Sequence, residues 1–571
     1  MKNSEIAKIF YHLALFEEMK DEFFKARAYD KAARMIESYG REIKDVYEGG
    51  GLEALQEIEG IGKAISEKIE EILQTGHLRL YEERKKEFPI DLDGLTSLEG
   101  VGPKTIKTLY QKLNVSTIED LEKVIAEGKL KKLSGFGEKK EQQIRKSIEF
   151  FKQGRGRFLL GDMLPSLRNI ESRLKRHPVV QNAMLCGSAR RMKETIGDAD
   201  FLVASDRPDE VMSFFTTLPE VTHVYSKGTT KSNVRLSSGM DADLRIVGKE
   251  NFGAAMQYFT GNKDHNVALR TMAIVRGWKL NEYGLYEGGR QIAGKSEEEI
   301  YKILGLDYIH PEMRENNGEI DLAADKRLPK LIEHNSLKGD LQVQTNYTDG
   351  LNSIEEMVDA AKKIGLEYIA ITDHTKSLGV ARGLDEEGIA DQGKDIDKIN
   401  KKLEGFRILK GAEVNIFKDG TLDIVDKTLK ELDVVGASIH SAFDLPKEEA
   451  TRRVLEAIEN SNVDVLFHPT GRLINQRAPY EIDIERVIQK CRDTETVLEI
   501  NAYPNRLDLK DEYIRKAVQI GAKLCIDSDA HSTLHFQYLE YGIGQARRGW
   551  ATAENVVNTL HVDRFLTSLK H

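Results

Sequence analysis

The chain opens on a helical rhythm. From residue 1 to about 152, apolar residues return at spacings of three and four, as in Ile6, Phe10, Leu13 and Phe16, with almost no strand-like alternation. This predicts an all-helical region. One pattern recurs three times inside it: LQEIEGIGKAISEKI at 55–69, LTSLEGVGPKTIKTL at 95–109 and LKKLSGFGEKKEQQI at 130–144. Each copy is an apolar stretch, a Gly-hydrophobic-Gly turn and an amphipathic helix. From Arg157 to about Val247, short apolar runs such as VVQNAMLCGS, ADFLVAS and DADLRIV alternate with helical stretches such as RPDEVMSFFTTL, which suggests a mixed sheet. Residues 250–335 return to helix and turn, and 325–340 looks like a connector. Past Lys338, strand-like runs each end in polar, metal-competent residues: YIAITDH, FRILKGAEVN, DVVGASIH, VDVLFHP, TVLEIN and KLCIDSDAH. Parallel strands alternating with helices, with chemistry at the strand C-termini, predict a β/α barrel.

At 571 residues the chain is several domains long. No run is apolar enough to cross a bilayer, and the first segment carries acids inside its apolar stretch, so neither a signal peptide nor a membrane span is expected. Cys186, Cys491 and Cys525 lie far apart, which disfavours a disulfide framework and points to a reducing cytoplasm. Taken as a whole, the net charge of -10 argues against a nucleic-acid partner. Divided by region, however, the charge is -1 up to Gly156, +1 from Arg157 to Lys338 and -10 beyond. The acidic excess belongs to the expected barrel, and the first 338 residues are free to meet a polyanion.

Three features carry chemistry. The glycine pairs Gly60/Gly62, Gly100/Gly102 and Gly135/Gly137 allow tight turns, each followed by a helix whose first N–H groups can hold a phosphate without reading sequence. One such turn is ordinarily a helix corner. Three with the same flanks point to helix-hairpin-helix elements on a nucleic-acid backbone. Next, Asp198 and Asp200 lie two residues apart in a strand-like run, so both carboxylates face one side, and Asp243 in DADLRIV can complete a divalent-cation site. Gly187-Ser188 and Arg190-Arg191 precede them and suit a triphosphate tail. Such carboxylates, with two Mg²⁺ ions, serve in-line phosphoryl transfer. A lone D-x-D is more often a solvated strand edge; here its neighbours strengthen it.

These motifs, GS, RR, GDAD, DADLR, YFTGNKDHN and NEYGL in that order, resemble those of the family-X DNA polymerases, relatives of DNA polymerase beta. The whole chain resembles the bacterial and archaeal members with a C-terminal PHP domain. The resemblance implies a multi-domain fold: a lyase-like helical domain with helix-hairpin-helix at 1–85, helix-hairpin-helix fingers at 86–156, an α/β nucleotidyltransferase palm at 157–250, a thumb at 251–325, a linker at 326–338 and a β/α-barrel PHP domain at 339–571. It further implies that Asp198, Asp200 and Asp243 are catalytic metal ligands, with Asp243 favoured over Asp241. Gly187, Ser188 and Arg191 would meet the triphosphate. Tyr258, Phe259 and Gly261 would lie beside the sugar, Asn266 would face the base, and Arg270, Glu282 and Tyr283 would support the template and the closed state. In the first domain Lys68 matches a Schiff-base lysine, and Lys25 and Tyr29 match positions that bind a 5′-phosphate; helix lysines are otherwise simply solvated.

In the barrel, Asp349, His374, Glu413, His440, His468, Asp529 and His531 match seven of the nine ligands of the family's trinuclear centre. The remaining two should be a His-x-His pair, but DLQVQT places Gln342 and Gln344 there, and a neutral amide oxygen is a poor ligand for Zn²⁺ or Mn²⁺. One metal position is therefore expected to be impaired. Asn415 is a second departure, standing where an acid is common.

The expectation is a cytoplasmic, monomeric, gap-filling DNA repair polymerase acting on gapped or nicked DNA and dNTPs. It would use Mg²⁺ or Mn²⁺ in the palm and Zn²⁺ or Mn²⁺ in the barrel, with the 3′-5′ exonuclease weakened or lost and lyase activity open. Two alternatives stand beside it: a metal-dependent DNA phosphoesterase whose polymerase-like part presents DNA, and a non-catalytic DNA-end scaffold.

Overall fold

The computed structural model describes every residue except Lys2, Gly40, Glu59, Ser97, Glu99, Ser134, Arg155 and His571. The N-terminal region is helical from Asn3–Met19 through Glu138–Gly154. It holds two apolar cores, one built on Ile6, Phe10, Leu13, Ile36, Ile65 and Ile69, the other on Leu95, Leu98, Ile106, Leu121 and Ile144. The first helix serves both, because Phe16 and Met19 at its end enter the second core.

The next region is a five-stranded sheet in the order Asn182–Leu185, Asp198–Ala204, Asp241–Val247, Lys231–Leu236 and Val221–Lys227. Only the pair Asp198–Ala204 and Asp241–Val247 is parallel; the other pairs are antiparallel. Helices Leu160–Arg176 and Pro208–Thr216 cover one face through Leu164, Leu167, Val211 and Phe215. Helices Phe252–Thr260 and Lys263–Val275 follow, then a three-stranded antiparallel sheet over Trp278–Asn281, Gly284–Glu287 and Arg290–Ala293.

From Gly339 seven parallel strands pair in sequence order, Gly339–Val343 to Leu524–Asp527. The sheet closes where Ala530 bridges Val343. Apart from Arg407 and Lys410 the strand residues are buried, as expected when one face lines a barrel and the other meets helices. Tyr368, Ala370, Leu409, Val465, Val497 and Cys525 form an apolar plug with Phe565 of the last helix. An even number of residues further along the same strands come Thr372, Glu413, Glu499 and Asp527, so the barrel changes from apolar to polar toward its C-terminal mouth.

The barrel does not stand apart. Its residues Ile474, Leu507 and Tyr541 pack into the core of the five-stranded sheet, and Trp550 packs with Leu269, Ile300 and Met313 of the region before it. The connector is likewise packed: Leu331 and Ile332 are buried, and the Ile332 amide donates to the Ala551 carbonyl at 3.0 Å.

Candidate active sites

In the five-stranded sheet, parallel register places Asp198 beside Asp241 and Asp200 beside Asp243. Alternation sends Ala199, Phe201, Ala242 and Leu244 into the core and turns the four acids to the other side. Arg235 closes on Asp241 as a fork, Nε to Oδ1 at 2.5 Å and Nη2 to Oδ2 at 3.1 Å, which leaves Asp243 as the partner of Asp198 and Asp200. Asp243 is drawn toward Lys231, whose Nζ lies 3.2 Å from Oδ2, and accepts from the Asn233 amide. Burial, and then the charges of Asp198 and Asp243, push the Asp200 carboxyl up to about 7. Three crowded carboxylates of this kind suit a divalent cation, which would relieve the repulsion that raises Asp200.

Gly187 is required here. Its φ is +63°, and a Cβ on it would lie 2.2 Å from Asp200 Oδ2. Beyond it opens a cavity of about 620 Å³ that takes in Ser188, Arg191, Asp198 and Asp200 on one side and Tyr258, Phe259, Gly261, Asn266 and Arg270 on the other. Asn266 is locked at both ends: Gln257 donates to its Oδ1 at 2.7 Å, and its Nδ2 donates to the Tyr258 carbonyl at 2.7 Å. Tyr258 and Phe259 stand edge to face with centroids 5.2 Å apart. Glu282 and Tyr283 are not among the lining residues, and Tyr283 is exposed.

The two arginines differ. Arg190 is consumed by Glu297 in a fork of 2.9 and 2.7 Å and by Thr260 at 2.6 Å, so the pair expected to face a phosphate tail supplies only Arg191. Glu297 is fully buried and also holds Arg314 at 2.5 Å; burial opposes its ionisation, but the two guanidiniums hold its carboxyl down at about 2. Arg157, Lys193 and Lys263 also reach the cavity; Lys263 lies within YFTGNKDHN, but the sequence assigned none of the three a role. Lys193 and Lys263 each lie two residues from a position already singled out, Arg191 and Gly261, and only the fold shows that they share one cavity.

At the barrel mouth Glu413 is the hub. His440 Nε2 lies 3.1 Å and His468 Nε2 2.9 Å from its Oε1, and His374 Nδ1 lies 3.4 Å from its Oε2. Burial raises the Glu413 carboxyl, but His374 and His440 outweigh it and hold the group well below the usual range. Asp349 Oδ2 faces His374 Nε2 at 3.8 Å and His531 Nε2 at 3.7 Å, and His531 Nδ1 lies 3.8 Å from Asp529. All seven expected ligands thus converge. Among the described residues, two sets bring their ligand atoms within 4.8 Å of one another: Asp349, His374 and His531, and His374, Glu413 and His440. The donor chemistry fits metal ions. Asn415 Oδ1 lies 2.7 Å from His440 Nδ1 and can accept from it, which directs His440 Nε2 at the Glu413 carboxylate, an orientation in which both groups can ligate one cation. Asn415 therefore orients a ligand where an acid was expected. His468 at φ +31° and Asp529 at φ +54° occupy backbone conformations that L-residues rarely adopt.

The glutamines do not fit a third metal position. Gln344 donates its Nε2 to Glu413 Oε2 at 3.0 Å, and the Asn501 amide donates to Gln342 Oε1 at 3.0 Å and Asp529 Oδ2 at 3.1 Å. The Arg506 guanidinium lies 3.5 Å from Asp529 Oδ2. Amide and guanidinium donors thus approach carboxylate oxygens that a cation would otherwise share. Gln342 Nε2 and Gln344 Oε1 are buried without a partner.

In the helical region the three turns share one geometry. Gly60, Gly100 and Gly135 have φ of +83°, +80° and +86°. Gly62 and Gly102 cap helices Lys63–Thr75 and Pro103–Leu113 without a side-chain cap, and the Gly137 carbonyl accepts from Glu141 at the start of the third helix. A Cβ at Gly62, Gly102 or Gly137 would meet nothing within 4 Å, so the fold itself leaves room there. Lys68 is half-buried, donates to the Ala64 carbonyl at 3.0 Å and stands 5.8 Å above the buried Tyr29 ring; Lys25 pairs with Glu22 at 3.5 Å.

Comparison with known proteins agrees with this layout. Residues 1–78 match the helix-hairpin-helix domain family, 92–149 the SAM-like helix-hairpin-helix tandem, 255–315 the DNA polymerase beta thumb and 340–502 the PHP domain. The chain is 39% identical over 563 residues, 98% of its length and 97% of the relative's, to the DNA polymerase/3′-5′ exonuclease PolX of Bacillus subtilis (strain 168). It is also 31% identical over 218 residues, 36% of this chain and 84% of the relative, to a probable phosphatase of Thermoanaerobacter sp. (strain X514).

Proposed function

This chain belongs to the family-X DNA polymerases that carry a C-terminal PHP domain, and from that premise we propose that it fills short gaps in DNA during repair by template-directed nucleotidyl transfer. The observation that carries the reading is the 620 Å³ cavity in which Ser188, Arg191, Asp198, Asp200, Tyr258 and Asn266 meet. Asp198, Asp200 and Asp243 would hold Mg²⁺ or Mn²⁺, which when bound neutralises a triphosphate and activates a primer hydroxyl. The Ser188 hydroxyl and Arg191 guanidinium bind the triphosphate; Tyr258 and Phe259 pack the sugar. Asn266, held by Gln257, keeps the Tyr258 turn in place beneath the base. The glycine turns present backbone amides to the phosphates of a gapped or nicked duplex, a contact that weakens as salt rises.

In the barrel, Asp349, His374, Glu413, His440, His468, Asp529 and His531 would hold Zn²⁺ or Mn²⁺ for phosphoester hydrolysis. Gln342 and Gln344 weaken the 3′-5′ exonuclease by removing one metal position. Lys68, half-buried above the Tyr29 ring, is a candidate for 5′-deoxyribose phosphate lyase chemistry. Among the described residues no helix is long and apolar enough to cross a membrane.

The test is one gapped-DNA assay with and without dNTPs in Mg²⁺ and Mn²⁺. Primer extension that disappears in Asp243→Ala is expected; extension at wild-type level in that variant refutes the assigned carboxylates. Manganese-dependent shortening of the primer that exceeds extension, lost in His440→Ala, would instead make the barrel the principal activity.

A further inference from the structure

The barrel helix Leu539–Arg548 lies directly behind the turn that carries Arg191. Gln545 donates its Nε2 to the Met192 carbonyl at 2.9 Å, and Gly544 fits against the Met192 side chain so closely that a Cβ would meet it at 2.8 Å. At the end of this helix Arg548 has only 2% of its side chain exposed. It donates Nε to Asp511 Oδ2 at 2.9 Å, and its Nη1 to the Arg191 carbonyl at 2.9 Å and to Glu315 Oε1 at 3.0 Å. Glu315 in turn faces the nucleotide cavity and is shared: Asn262 donates to its Oε2 at 3.0 Å, Lys193 Nζ lies 3.4 Å away, and Arg191 Nε lies 3.5 Å away. That Arg191 Nε is buried and makes no hydrogen bond.

One carboxylate therefore stands between a barrel arginine and the arginine at the phosphate end of the cavity. We propose that Arg548 is a positioning residue for nucleotide binding in the palm: it holds the Arg191 backbone and restrains Glu315 so that this carboxylate does not collapse onto the Arg191 guanidinium. The proposal rests on the polymerase reading above and extends it, because it makes the barrel a structural part of the nucleotide site. Without Arg548, Glu315 can close the 3.5 Å gap to Arg191 Nε and compete with the triphosphate for that charge.

The test uses the full-length protein, a single-nucleotide-gap duplex and a titration of dNTP. In Arg548→Met the KM for dNTP should rise by about tenfold, the size of one lost charge-assisted contact, with kcat and gapped-DNA affinity much less affected. Arg548→Lys should restore part of the affinity. Adding Glu315→Gln to Arg548→Met should bring the KM back to within roughly threefold of wild type, since a neutral amide cannot quench Arg191, whereas a merely structural role would predict further loss. Because Asp511 loses its partner in Arg548→Met, the same comparison is made in an Asp511→Asn background if the single variant does not fold. An unchanged KM in Arg548→Met, or no recovery on adding Glu315→Gln, overturns the proposal. A wild-type protein that incorporates no nucleotide overturns the polymerase reading itself.

Discussion

Replacing Gly187 by alanine separates catalytic geometry from folding. The residue has φ +63°, where an L-side chain costs about 1–2 kcal/mol, and its Cβ would sit 2.2 Å from Asp200 Oδ2, 3.2 Å from Cγ and 3.5 Å from Cβ. Ordinary contact needs about 3.4 Å, so the carboxylate has to retreat by about 1 Å. Asp200 cannot retreat freely, since its strand is fixed between Asn182–Leu185 and Asp241–Val247. It must rotate its carboxylate out of its present position among Asp198 and Asp243. A displacement of about 1 Å in a reacting constellation costs on the order of 100-fold, which is about 2.7 kcal/mol of transition-state stabilisation. The assay is single-turnover incorporation of one nucleotide into gapped DNA, with circular dichroism melting alongside. Gly187→Ala should lose about two orders of magnitude in rate while melting as one folded protein, shifted by no more than the strain of one left-handed residue. A rate within about threefold of wild type, with normal folding, would refute the claim that Asp200 must stay where Gly187 allows it.

Other consequences follow from the same contacts. Glu297→Gln should destabilise the palm and thumb by about 3–5 kcal/mol, because it leaves the fully buried Arg314 without its counter-charge; chemical denaturation measures this. The carboxyl of Glu297 is held below its unfolded value, at about 2, so its contribution is complete above the unfolded pKa and fades as pH falls toward 2. The penalty of Glu297→Gln should accordingly shrink in acid. The double variant Gly62→Ala, Gly102→Ala places methyl groups in open space at non-left-handed positions, so melting should be unchanged while affinity for gapped DNA falls; unaltered binding would remove these turns from the interface. Gln342→His with Gln344→His should raise the number of Mn²⁺ ions bound per chain and strengthen primer degradation, read by elemental analysis and by loss of labelled 3′ nucleotides.

Much of this protein is local and therefore legible in its sequence. The glycine turns are set by backbone freedom over a few residues, and all three recur with one geometry. Asp198 and Asp200 share a face because strand side chains alternate, whereas Asp243 joins them only through the parallel register of its strand. The barrel was visible because most of its strands run from apolar residues to His, Asp or Glu and alternate with helices, the order expected of a parallel sheet with a polar C-terminal mouth.

What the chain order could not reveal is which charges meet across distance. Arg190 and Arg191 are adjacent and alike in sequence, yet one is spent on Glu297, 107 residues away, and the other faces the cavity. Gln342 and Gln344 stand where the sequence led one to expect imidazoles, but only packing shows the amide of Asn501, 159 residues from Gln342, donating among the surrounding oxygens. Arg548 reads as a charge at a helix end until the fold buries it between Asp511, Glu315 and the backbone of Arg191. Backbone conformation and alternation are short-range and belong to the sequence. Ion pairing depends on distance in space and on exclusion of water, and only tertiary structure decides either.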